Sequence, residues 1–372
     1  MTTSPTTEIT FGVRASEHPV PAAQRAGILA APKFGSVFTD HMVTLRWAAD
    51  QGWHDGRLEP YGPFTLDPGT QVFHYAQEIF EGLKAYRQAG GAIVTFRPEA
   101  NAARFASSAR RLAMPPLPED TFVRAIELLV SQDRDWVPSG EGFSLYLRPF
   151  MIATQKGLGI NSPSRQYLFC LIASPSAGYF AGGMIKPVSV WLSQEYTRAA
   201  PGGTGEAKCG GNYAGAFAGQ QQAVDNGCDQ VVWLDAVERR WVEEMGGMNL
   251  FFVYGSGPQA RITTPPLTGT MLPGITRDSL LTLAPGLGIK AGESRISVAQ
   301  WRAGCASGEI TEVFACGTAA VITPVAAVKS PSGEWLIGDG SPGPVTMRLR
   351  EELLGLQYGD RPDPHGWIHK IC

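Results

Sequence analysis

Charged residues are scarce in this sequence. Asp, Glu, Lys and Arg make up 17% of the 372 residues, against roughly 25% in an average globular protein. Many uncharged groups must therefore lie at the surface, and an oligomeric interface would cover some of them. Basic residues are not in excess either, because the net charge is −3. Without a basic excess to attract a polyphosphate, we expect no nucleic-acid partner.

Long apolar runs are missing as well. No stretch reaches the 18 apolar residues of a membrane-spanning helix, and the first eight residues lack the basic and apolar regions of a secretory signal. The cysteines are few and form no CxxC pair; they are Cys170, Cys209, Cys228, Cys305, Cys316 and Cys372. Scattered thiols of this kind are typical of reducing compartments, so we expect a cytoplasmic protein with no membrane partner.

Several common ligand motifs are absent or stand in the wrong context. There is no GxxxxGK[ST] phosphate loop and no GxSxG nucleophile elbow. Residues 255–260 match GxGxxA, but Pro258 and the strand-like residues after it favour a hairpin over the helix that a dinucleotide fingerprint requires. His365 and His369 stand four residues apart without an evident third ligand, so we predict tail residues and no metal site.

Apolar periodicity predicts a mixture of helices and strands along the chain. In the first part, helices are expected at 98–114 and from Glu119 onward, and strands at 39–47, 92–96, 143–149 and 167–173. In the second part, strands are expected at 188–192, 230–234, 241–244, 250–254 and 321–328, and helices at 213–225, 276–284, 298–305 and 345–354. The chain therefore reads as a mixed α and β protein.

Residues 174–187 show neither period and are rich in Ser, Pro and Gly, as interdomain linkers are. They predict a division into two domains. Residues 1–173 would form a smaller α+β domain whose first dozen residues are a flexible tail. Residues 188–372 would form a larger C-terminal domain.

One lysine has unusual surroundings. Residues 201–213 read Pro-Gly-Gly-Thr-Gly-Glu-Ala-Lys-Cys-Gly-Gly-Asn-Tyr, which places Lys208 among five glycines directly before a predicted helix. A solvated lysine on a mobile loop is the ordinary alternative. Floppy loops, however, seldom run straight into a helix. Flanking glycines let the backbone approach a flat ligand, and a desolvated lysine can act as an amine nucleophile.

Two further segments could complete a site with this lysine. Side chains alternate along the strand before Gly246, so Glu243 and Glu244 point to opposite faces and at most one of them is expected inward. A buried carboxylate also needs a cationic partner. Two edge charges on a hairpin are the alternative. Residues 272–277 place a Gly turn at a helix start, which gathers N–H groups suited to a phosphate, although ordinary capping would look the same. A lysine nucleophile, an inward carboxylate and a phosphate cradle are together what pyridoxal phosphate requires.

At these residues the sequence resembles the branched-chain amino acid aminotransferases, which are fold-type IV pyridoxal-phosphate enzymes. The resembling blocks follow in order along most of the chain, at 34–42, 79–86, 146–149, 201–213, 244–250, 272–277 and 317–324. The resemblance implies a two-domain, mixed α/β fold with the cofactor at the domain interface, and a homodimer. It also implies transfer of the amino group of L-leucine, L-isoleucine or L-valine to 2-oxoglutarate, and the reverse, with glutamate and the 2-oxo acids as the other small-molecule partners.

The resemblance also assigns roles at the cofactor. Lys208 would be the catalytic Schiff-base lysine, Glu244 the partner of the pyridine nitrogen, and Tyr213 a neighbour of the phenolic oxygen. The phosphate would be bound by a side chain and several backbone groups, namely Arg104, Ile275, Thr276, Gly317 and Thr318. A solvated arginine on an Ala-rich helix is the alternative for Arg104.

For the substrate, the resemblance implies an apolar pocket that includes Phe34, Tyr75 and Tyr146. Arg148 would bind the distal carboxylate of glutamate, and the N–H groups of Thr318 and Ala319 the α-carboxylate. Tyr179 would close over the substrate from the interdomain loop. Tyr75 and Tyr146 could instead be core aromatics.

One departure from the pattern bears on regulation. Residues 320–323 read Ala-Val-Ile-Thr where mammalian members carry a CxxC pair, so redox control by that pair is not expected.

Two alternatives remain open from the sequence. Another fold-type IV enzyme, a D-amino acid aminotransferase or an aminodeoxychorismate lyase, would differ in product chirality or would release ammonia or pyruvate. A metabolite-binding protein that keeps the fold without the cofactor would be colourless.

Overall fold

The computed structural model describes residues 9–177 and 185–372 of the chain. Contacts between residues divide the chain into two compact units. Unit 1 extends to Ala177 and also contains Trp367–Cys372, and unit 2 ends at Gly366. No helix in the described part of the chain is long and apolar enough to cross a membrane.

Strands and helices alternate through both described ranges. The strands there are β1 (Phe11–Val13), β2 (His41–Ala48), β3 (Gly52–Pro60), β4 (Glu78–Phe80), β5 (Leu83–Arg87), β6 (Ile93–Phe96), β7 (Ser144–Ala153), β8 (Gln166–Ser176), β9 (Val188–Leu192), β10 (Gln230–Leu234), β11 (Val242–Met245), β12 (Met248–Tyr254), β13 (Arg261–Thr264), β14 (Lys290–Glu293), β15 (Ile310–Gly317), β16 (Val321–Ser330), β17 (Gly333–Leu336) and β18 (Ile368–Lys370). The α-helices are α1 (Ala22–Ala30), α2 (Val72–Tyr75), α3 (Pro98–Arg111), α4 (Glu119–Gln132), α5 (Gly210–Asp225), α6 (Ile275–Gly286), α7 (Val298–Ser307) and α8 (Pro344–Tyr358).

Unit 1 is built on a nine-stranded sheet with the order β1-β3-β2-β8-β7-β5-β6-β18, and β4 pairs with β7. Helices α3 and α4 contact each other, and α4 also contacts β2 and β8. An aromatic cluster of Phe105, Phe122 and Phe169 lies fully buried between these helices and the sheet. This core holds α3, and with it Arg104, in a fixed place on the sheet.

Unit 2 is built on a second nine-stranded sheet, with the order β11-β10-β9-β16-β15-β12-β13-β14 and β17 on β16. Because β11 also pairs with β12, the strands from β11 round to β12 close into a ring. Burial of apolar side chains such as Leu250, Phe252 and Trp301 forms its core. The ring places the short strand β11, which carries Glu243 and Glu244, against covered surfaces on both of its faces.

The structure confirms the predicted helices and strands in their interiors and corrects several ends. Strands β9 and β10 have the predicted bounds, and α4 begins at the predicted Glu119. Helix α3 ends at Arg111 instead of Met114, because Ala113 adopts a left-handed conformation with φ of 53°. Strands β12 and β13 pair antiparallel around residues 255–260, so the hairpin interpretation is confirmed and the dinucleotide fingerprint is excluded.

Three features of the predicted domain boundaries differ in the structure. Strand β8 runs to Ser176 and so takes up the first residues of the predicted linker. Strand β1 begins within the last residues of the predicted N-terminal tail and pairs with β3. The C-terminal strand β18 pairs with β6, which removes residues 367–372 from the predicted second domain. In each case the pairing joins segments that local periodicity cannot connect.

Of the two C-terminal histidines predicted to be tail residues, His369 instead forms part of the sheet of unit 1. His369 lies on β18, with Nδ1 3.0 Å from Glu99 Oε1 and Nε2 3.1 Å from Glu127 Oε1. Within the described ranges, no group of three or more His, Cys, Asp or Glu side chains is arranged to hold a metal ion.

Candidate active site

Lys208 is held in a fixed position beside a phenol. Its half-buried Nζ donates a hydrogen bond to the hydroxyl of Tyr213 at 2.8 Å, which lies in the first turn of α5. Hydrogen bonds hold the loop before the lysine in place, because Asn212 Nδ2 donates to the carbonyls of Thr204 at 2.8 Å and Ala207 at 2.9 Å. These bonds contradict the alternative of a solvated lysine on a mobile loop.

Glu243 and Glu244 are both buried, with 8% and 1% of their surfaces exposed. The expectation that at most one of them lies inward is therefore wrong. Every residue of β11 is buried, so alternation sends the two side chains to opposite faces that are both covered. Glu243 Oε1 accepts a hydrogen bond from the Thr270 hydroxyl at 2.6 Å, and burial raises the pKa of Glu243.

Glu244 has the cationic partner that a buried carboxylate needs. Arg198 Nε lies 2.9 Å from Glu244 Oε2, and both side chains are buried. The other oxygen, Oε1, accepts from Asn249 Nδ2 and from the Leu272 N–H, each at 3.2 Å. Burial raises the pKa of Glu244 to about 7, while Arg198, the Leu272 N–H and Lys208 act in the opposite direction. The neighbouring cations thus favour the ionised form of a carboxylate whose burial favours the protonated form.

One oxygen of Glu244 remains available for a ligand. Among the described residues no group donates a hydrogen bond to Oε2, although the Arg198 guanidinium is in ion-pair contact with it. A buried acceptor without a donor is costly unless a ligand supplies one. The N–H of a protonated pyridine ring is such a donor, so this carboxylate fits the pyridoxal phosphate that the sequence predicts.

The expected phosphate-binding segments of unit 2 converge on Asn249. This residue pairs with Glu244 on β11 and with Cys316 near the end of β15. It also lies against Gly274, where a Cβ would come within 2.0 Å of Asn249 Oδ1. Helix α6 begins directly after Gly274, so the N–H groups of Ile275 and Thr276 fall in its first turn, where the helix offers them no carbonyl.

The second part of this cradle is the turn between β15 and β16. It comprises residues 318–320, between Gly317 at the end of β15 and Val321 at the start of β16, and Val321 adopts a left-handed φ of 61°. A β-branched residue in this conformation is strained, and such strain is retained mainly at functional sites. The turn follows Cys316, the partner of Asn249 in the sheet, so it lies beside the start of α6.

In unit 1, Arg104 is a buried and rigidly held cation. Its Nε lies 2.7 Å from Glu81 Oε1 and its Nη2 2.9 Å from Oε2, a bidentate pair. Glu81 Oε2 also accepts from Asn101 Nδ2 at 2.8 Å and from the Gly82 N–H at 3.1 Å. This geometry excludes the alternative of a solvated helix arginine, because both partners are almost fully buried.

Three of the expected substrate residues lie together in unit 1. Arg148 Nη2 donates to the Tyr146 hydroxyl at 3.2 Å, and its guanidinium lies over the rings of Phe80 and Tyr146 at 4.9 and 5.3 Å. Phe34 meets Tyr146 edge to face, with ring centres 4.9 Å apart. The group offers aromatic surface and one cation, which suits an aliphatic chain and a carboxylate in turn.

Four further residues are expected at the substrate, of which Thr318 and Ala319 lie between β15 and β16. Tyr75 is exposed at the end of α2, where its hydroxyl donates to the Leu158 carbonyl, so it is not a core aromatic. Tyr179 falls outside the described residues.

Comparison with known proteins decides the family. Residues 78–328 match the family described as amino-transferase class IV. The branched-chain-amino-acid aminotransferase of Mycolicibacterium smegmatis is 60% identical over 97% of this chain and 98% of its own length. The chain belongs to this family of class IV aminotransferases.

Solved structures agree with this assignment. The crystal structure of the Escherichia coli branched-chain amino acid aminotransferase matches 88% of this chain and 99% of its own, with a TM-score of 0.72 and 28% identity. The branched-chain amino acid aminotransferase of T.th., solved with pyridoxamine 5′-phosphate, has a TM-score of 0.71 and 29% identity over 88% of this chain and 98% of its own. The resemblance inferred from the motifs is thereby confirmed, and so is the mixed α/β, fold-type IV architecture.

Sequence reasoning missed three residues that contact the candidate site residues. Arg198 pairs with Glu244, Asn249 joins Glu244 to the start of α6, and Glu81 holds Arg104. A partial signal existed for Arg198, because a buried carboxylate requires a cation. The sequence offered many arginines, however, and only the fold selects one of them. Nothing in the local pattern marked Asn249 or Glu81.

Proposed function

We propose that this chain transfers the amino group of L-leucine, L-isoleucine or L-valine to 2-oxoglutarate, and catalyses the reverse reaction, with pyridoxal 5′-phosphate as its cofactor. The observation that carries the proposal is the combination in unit 2 of a fixed lysine and a buried carboxylate. Lys208 donates to Tyr213 at 2.8 Å, and Glu244 Oε2 accepts no hydrogen bond from the described residues, although Arg198 lies in ion-pair contact with it. The names of the relatives support the same activity.

The residues of unit 2 fit the chemistry of this cofactor. When bound, its ring accepts the electron pair left at the substrate Cα. Lys208 Nζ would take the proton from the substrate Cα and deliver it to the cofactor carbon that bears the nitrogen, acting first as general base and then as general acid. Tyr213 would orient this amine through their hydrogen bond. Glu244 Oε2 would accept a hydrogen bond from the protonated ring nitrogen and so keep that nitrogen protonated. The Arg198 contact favours this role because it keeps the Glu244 carboxylate charged.

A dianionic phosphate needs N–H donors and a cation. The first turn of α6 supplies the backbone N–H groups of Ile275 and Thr276, and the turn at Gly317 and Thr318 supplies more. We assign the cationic contact to Arg104, whose Nε and Nη2 are engaged by Glu81, so that the direction of its guanidinium is set before any ligand binds.

The same pocket must accept both an aliphatic chain and a carboxylate. We assign the aliphatic chain to the aromatic surface of Phe34, Tyr75 and Tyr146 and the distal carboxylate of glutamate to Arg148. The N–H groups of Thr318 and Ala319 would bind the α-carboxylate, and Tyr179 would close over the substrate. Because an apolar pocket separates neighbouring aliphatic chains by only about 1–3 kcal/mol per methylene, all three branched amino acids should be substrates.

We further propose that the protein is a homodimer in the cytoplasm. Unit 1 exposes large apolar side chains, among them Phe73 (60%), Leu158 (64%) and Ile160 (72%). Exposed apolar surface of this kind suits a protein interface. The cysteines are free thiols in the structure, which supports a reducing compartment. Sedimentation velocity should give a dimer in the wild type and a larger monomer fraction in Ile160→Asp; a wild-type monomer would contradict the dimer.

The activity is tested by spectroscopy and labelling. The purified protein should be yellow, and its visible band should shift when leucine is added. Borohydride reduction followed by peptide mapping should place the cofactor on Lys208, and Lys208→Ala should lack both the label and the transfer of the amino group to 2-oxoglutarate. Circular dichroism of this variant checks that it is folded.

Three outcomes would contradict the proposal. A colourless protein, or a label on another residue, would remove the cofactor assignment. Activity confined to D-amino acids would favour a D-amino acid aminotransferase. Release of pyruvate or ammonia without amino transfer would favour a lyase.

A further inference from the structure

Arg198 joins three separate segments of unit 2 through one side chain. Its Nε lies 2.9 Å from Glu244 Oε2 on β11. Its Nη1 donates to the carbonyl of Thr270 at 2.9 Å and to that of Gly205 at 3.2 Å. Gly205 belongs to the glycine-rich loop that reaches Lys208 three residues later. The guanidinium therefore connects the loop of the nucleophile, the carboxylate and the segment that leads to α6.

The contact between the loop and Thr270 requires glycine as well as arginine. A Cβ on Gly205 would come within 2.2 Å of the Thr270 carbonyl oxygen, so no other residue allows this approach. The planar guanidinium offers donors in fixed directions, which lets it bridge two carbonyls and a carboxylate at once. A lysine at position 198 would supply the charge without this geometry.

Arg198 also compensates two buried carboxylates that follow each other in the chain. Burial raises the pKa of both Glu243 and Glu244, and Arg198 acts against this rise for both. The other ionisable groups that face Glu244 are Lys208, Glu243 and the Cys316 thiol. Glu243 has a further donor in Thr270. Without Arg198, Lys208 is the cation among the described residues that still acts on Glu244.

We propose that Arg198 is a positioning residue that keeps Glu244 ionised and fixes Glu244 relative to the loop that carries Lys208. The consequence for the reaction rests on the proposed function, because an ionised Glu244 serves catalysis only if it faces the cofactor's ring nitrogen. The effect of Arg198 on the carboxylate itself does not depend on the cofactor.

The first test is the titration of Glu244 in the ligand-free protein, followed by isotope-edited infrared spectroscopy of the glutamate carboxyl band. Glu244→Gln assigns the band. In Arg198→Met the midpoint of Glu244 should rise by about one pH unit or more, since an opposite charge at this distance shifts a carboxyl by about 1–3 units. Arg198→Lys should stay close to the wild type because it keeps the charge. Arg348→Met, on the exposed surface of α8, is the matched control and should change nothing.

The second test separates positioning from charge through the affinity for pyridoxal 5′-phosphate, measured by titration of the apo-protein. Arg198→Lys and Arg198→Met should both bind about 10–100-fold more weakly, as is typical when a residue that orients a ligand-binding group is lost. In a protein that already carries Glu244→Gln, Arg198→Met should weaken cofactor binding much less than it does in the wild type, because the two residues act as a unit.

Each outcome decides the proposal. An unchanged Glu244 midpoint in folded Arg198→Met would overturn the role in keeping Glu244 ionised. Wild-type cofactor affinity in Arg198→Lys would overturn the positioning role. Additive effects of Arg198→Met and Glu244→Gln would assign Arg198 a general structural role instead. A wild-type protein without aminotransferase activity would refute the proposed function. The carboxyl titration would still test whether Arg198 keeps Glu244 ionised.

Discussion

Glu81 and Glu244 are buried carboxylates that are each paired with an arginine, yet they differ in whether every carboxylate oxygen accepts a hydrogen bond. Glu81 accepts from Arg104 twice, from Asn101 and from the Gly82 N–H. Its oxygens are thus used within the protein, and it serves to hold Arg104. Glu244 keeps one oxygen without a hydrogen-bond donor among the described residues. The same residue type therefore holds an arginine in unit 1, whereas in unit 2 it keeps an oxygen to which the proposed cofactor could donate.

Replacing Glu81 by Gln should destabilise the protein strongly. The change leaves the Arg104 guanidinium buried without its counter-charge, a loss that typically costs about 3–5 kcal/mol. Urea unfolding of the ligand-free protein should show this decrease in the free energy of unfolding. Glu141→Gln, at an exposed loop position, is the control and should stay within about 0.5 kcal/mol of the wild type. A similarly small effect in Glu81→Gln would contradict the buried pair.

Gly82→Ala should impair substrate binding through Tyr146. A Cβ at this position would lie 1.9 Å from the Tyr146 hydroxyl oxygen, so the phenol and its bond to Arg148 must move. We expect the KM for leucine and for glutamate to rise about tenfold or more, because small displacements of substrate-positioning groups are costly. Gly90→Ala, where a Cβ meets nothing within 4 Å, should leave both KM values unchanged. Unaltered KM values in Gly82→Ala would remove Tyr146 from the proposed pocket.

The site in unit 2 is assembled by strand register. Glu244 on β11 lies opposite Asn249 on β12, and Asn249 lies opposite Cys316 on β15. This row of neighbours brings the carboxylate, the start of α6 and the turn after β15 to one place. A slip by one residue would send each side chain to the other face of the sheet.

Gly274→Ala tests the close contact between the start of α6 and Asn249. A Cβ would come within 2.0 Å of Asn249 Oδ1, which should displace the side chain that donates to Glu244. We expect cofactor affinity to fall about tenfold, as for other changes to residues that orient a ligand-binding group. Gly286→Ala, in the last turn of the same helix with nothing within 4 Å of its Cβ, should bind the cofactor as the wild type does. Equal affinity in both variants would show that the start of α6 tolerates displacement.

The free energy of unfolding of the ligand-free protein should depend on pH through the titration of Glu244. Its pKa is raised from 4.5 to about 7 in the folded state, so between these values the folded protein binds more protons than the unfolded chain. The free energy of unfolding then decreases with rising pH over this window, and the full cost is present above about pH 7. The expected contribution is on the order of 3 kcal/mol, since each pKa unit corresponds to about 1.4 kcal/mol.

Glu244→Gln removes this titration and should therefore gain stability relative to the wild type as the pH rises from about 5 to 8. Urea unfolding of both proteins at several pH values measures the difference, in which the other titrating groups largely cancel. A pH dependence that is the same in the two proteins would argue against a raised pKa of Glu244.

Local sequence patterns predicted much of the fold and part of the site. The bounds of β9 and β10 and the start of α4 follow from short apolar periods and a turn signal. Lys208 stood out because glycines surround it, and the other site residues followed from ordered motifs that the family shares. The pairing of β18 with β6 and the burial of both Glu243 and Glu244 could not be predicted, because they depend on which distant segment covers a strand.

By itself, the sequence determined the local elements, the loop that carries Lys208 and the membership in a family of class IV aminotransferases, since these rest on residues close together in the chain or on motifs in a fixed order. Only the tertiary structure decided that Arg198 compensates Glu244, that Glu81 holds Arg104, and that one oxygen of Glu244 accepts no hydrogen bond from the part of the chain that the structure describes. The physical reason is that the charge balance of a buried group is set by whichever side chains the fold brings within a few ångströms of it, and these come from segments far apart in the chain.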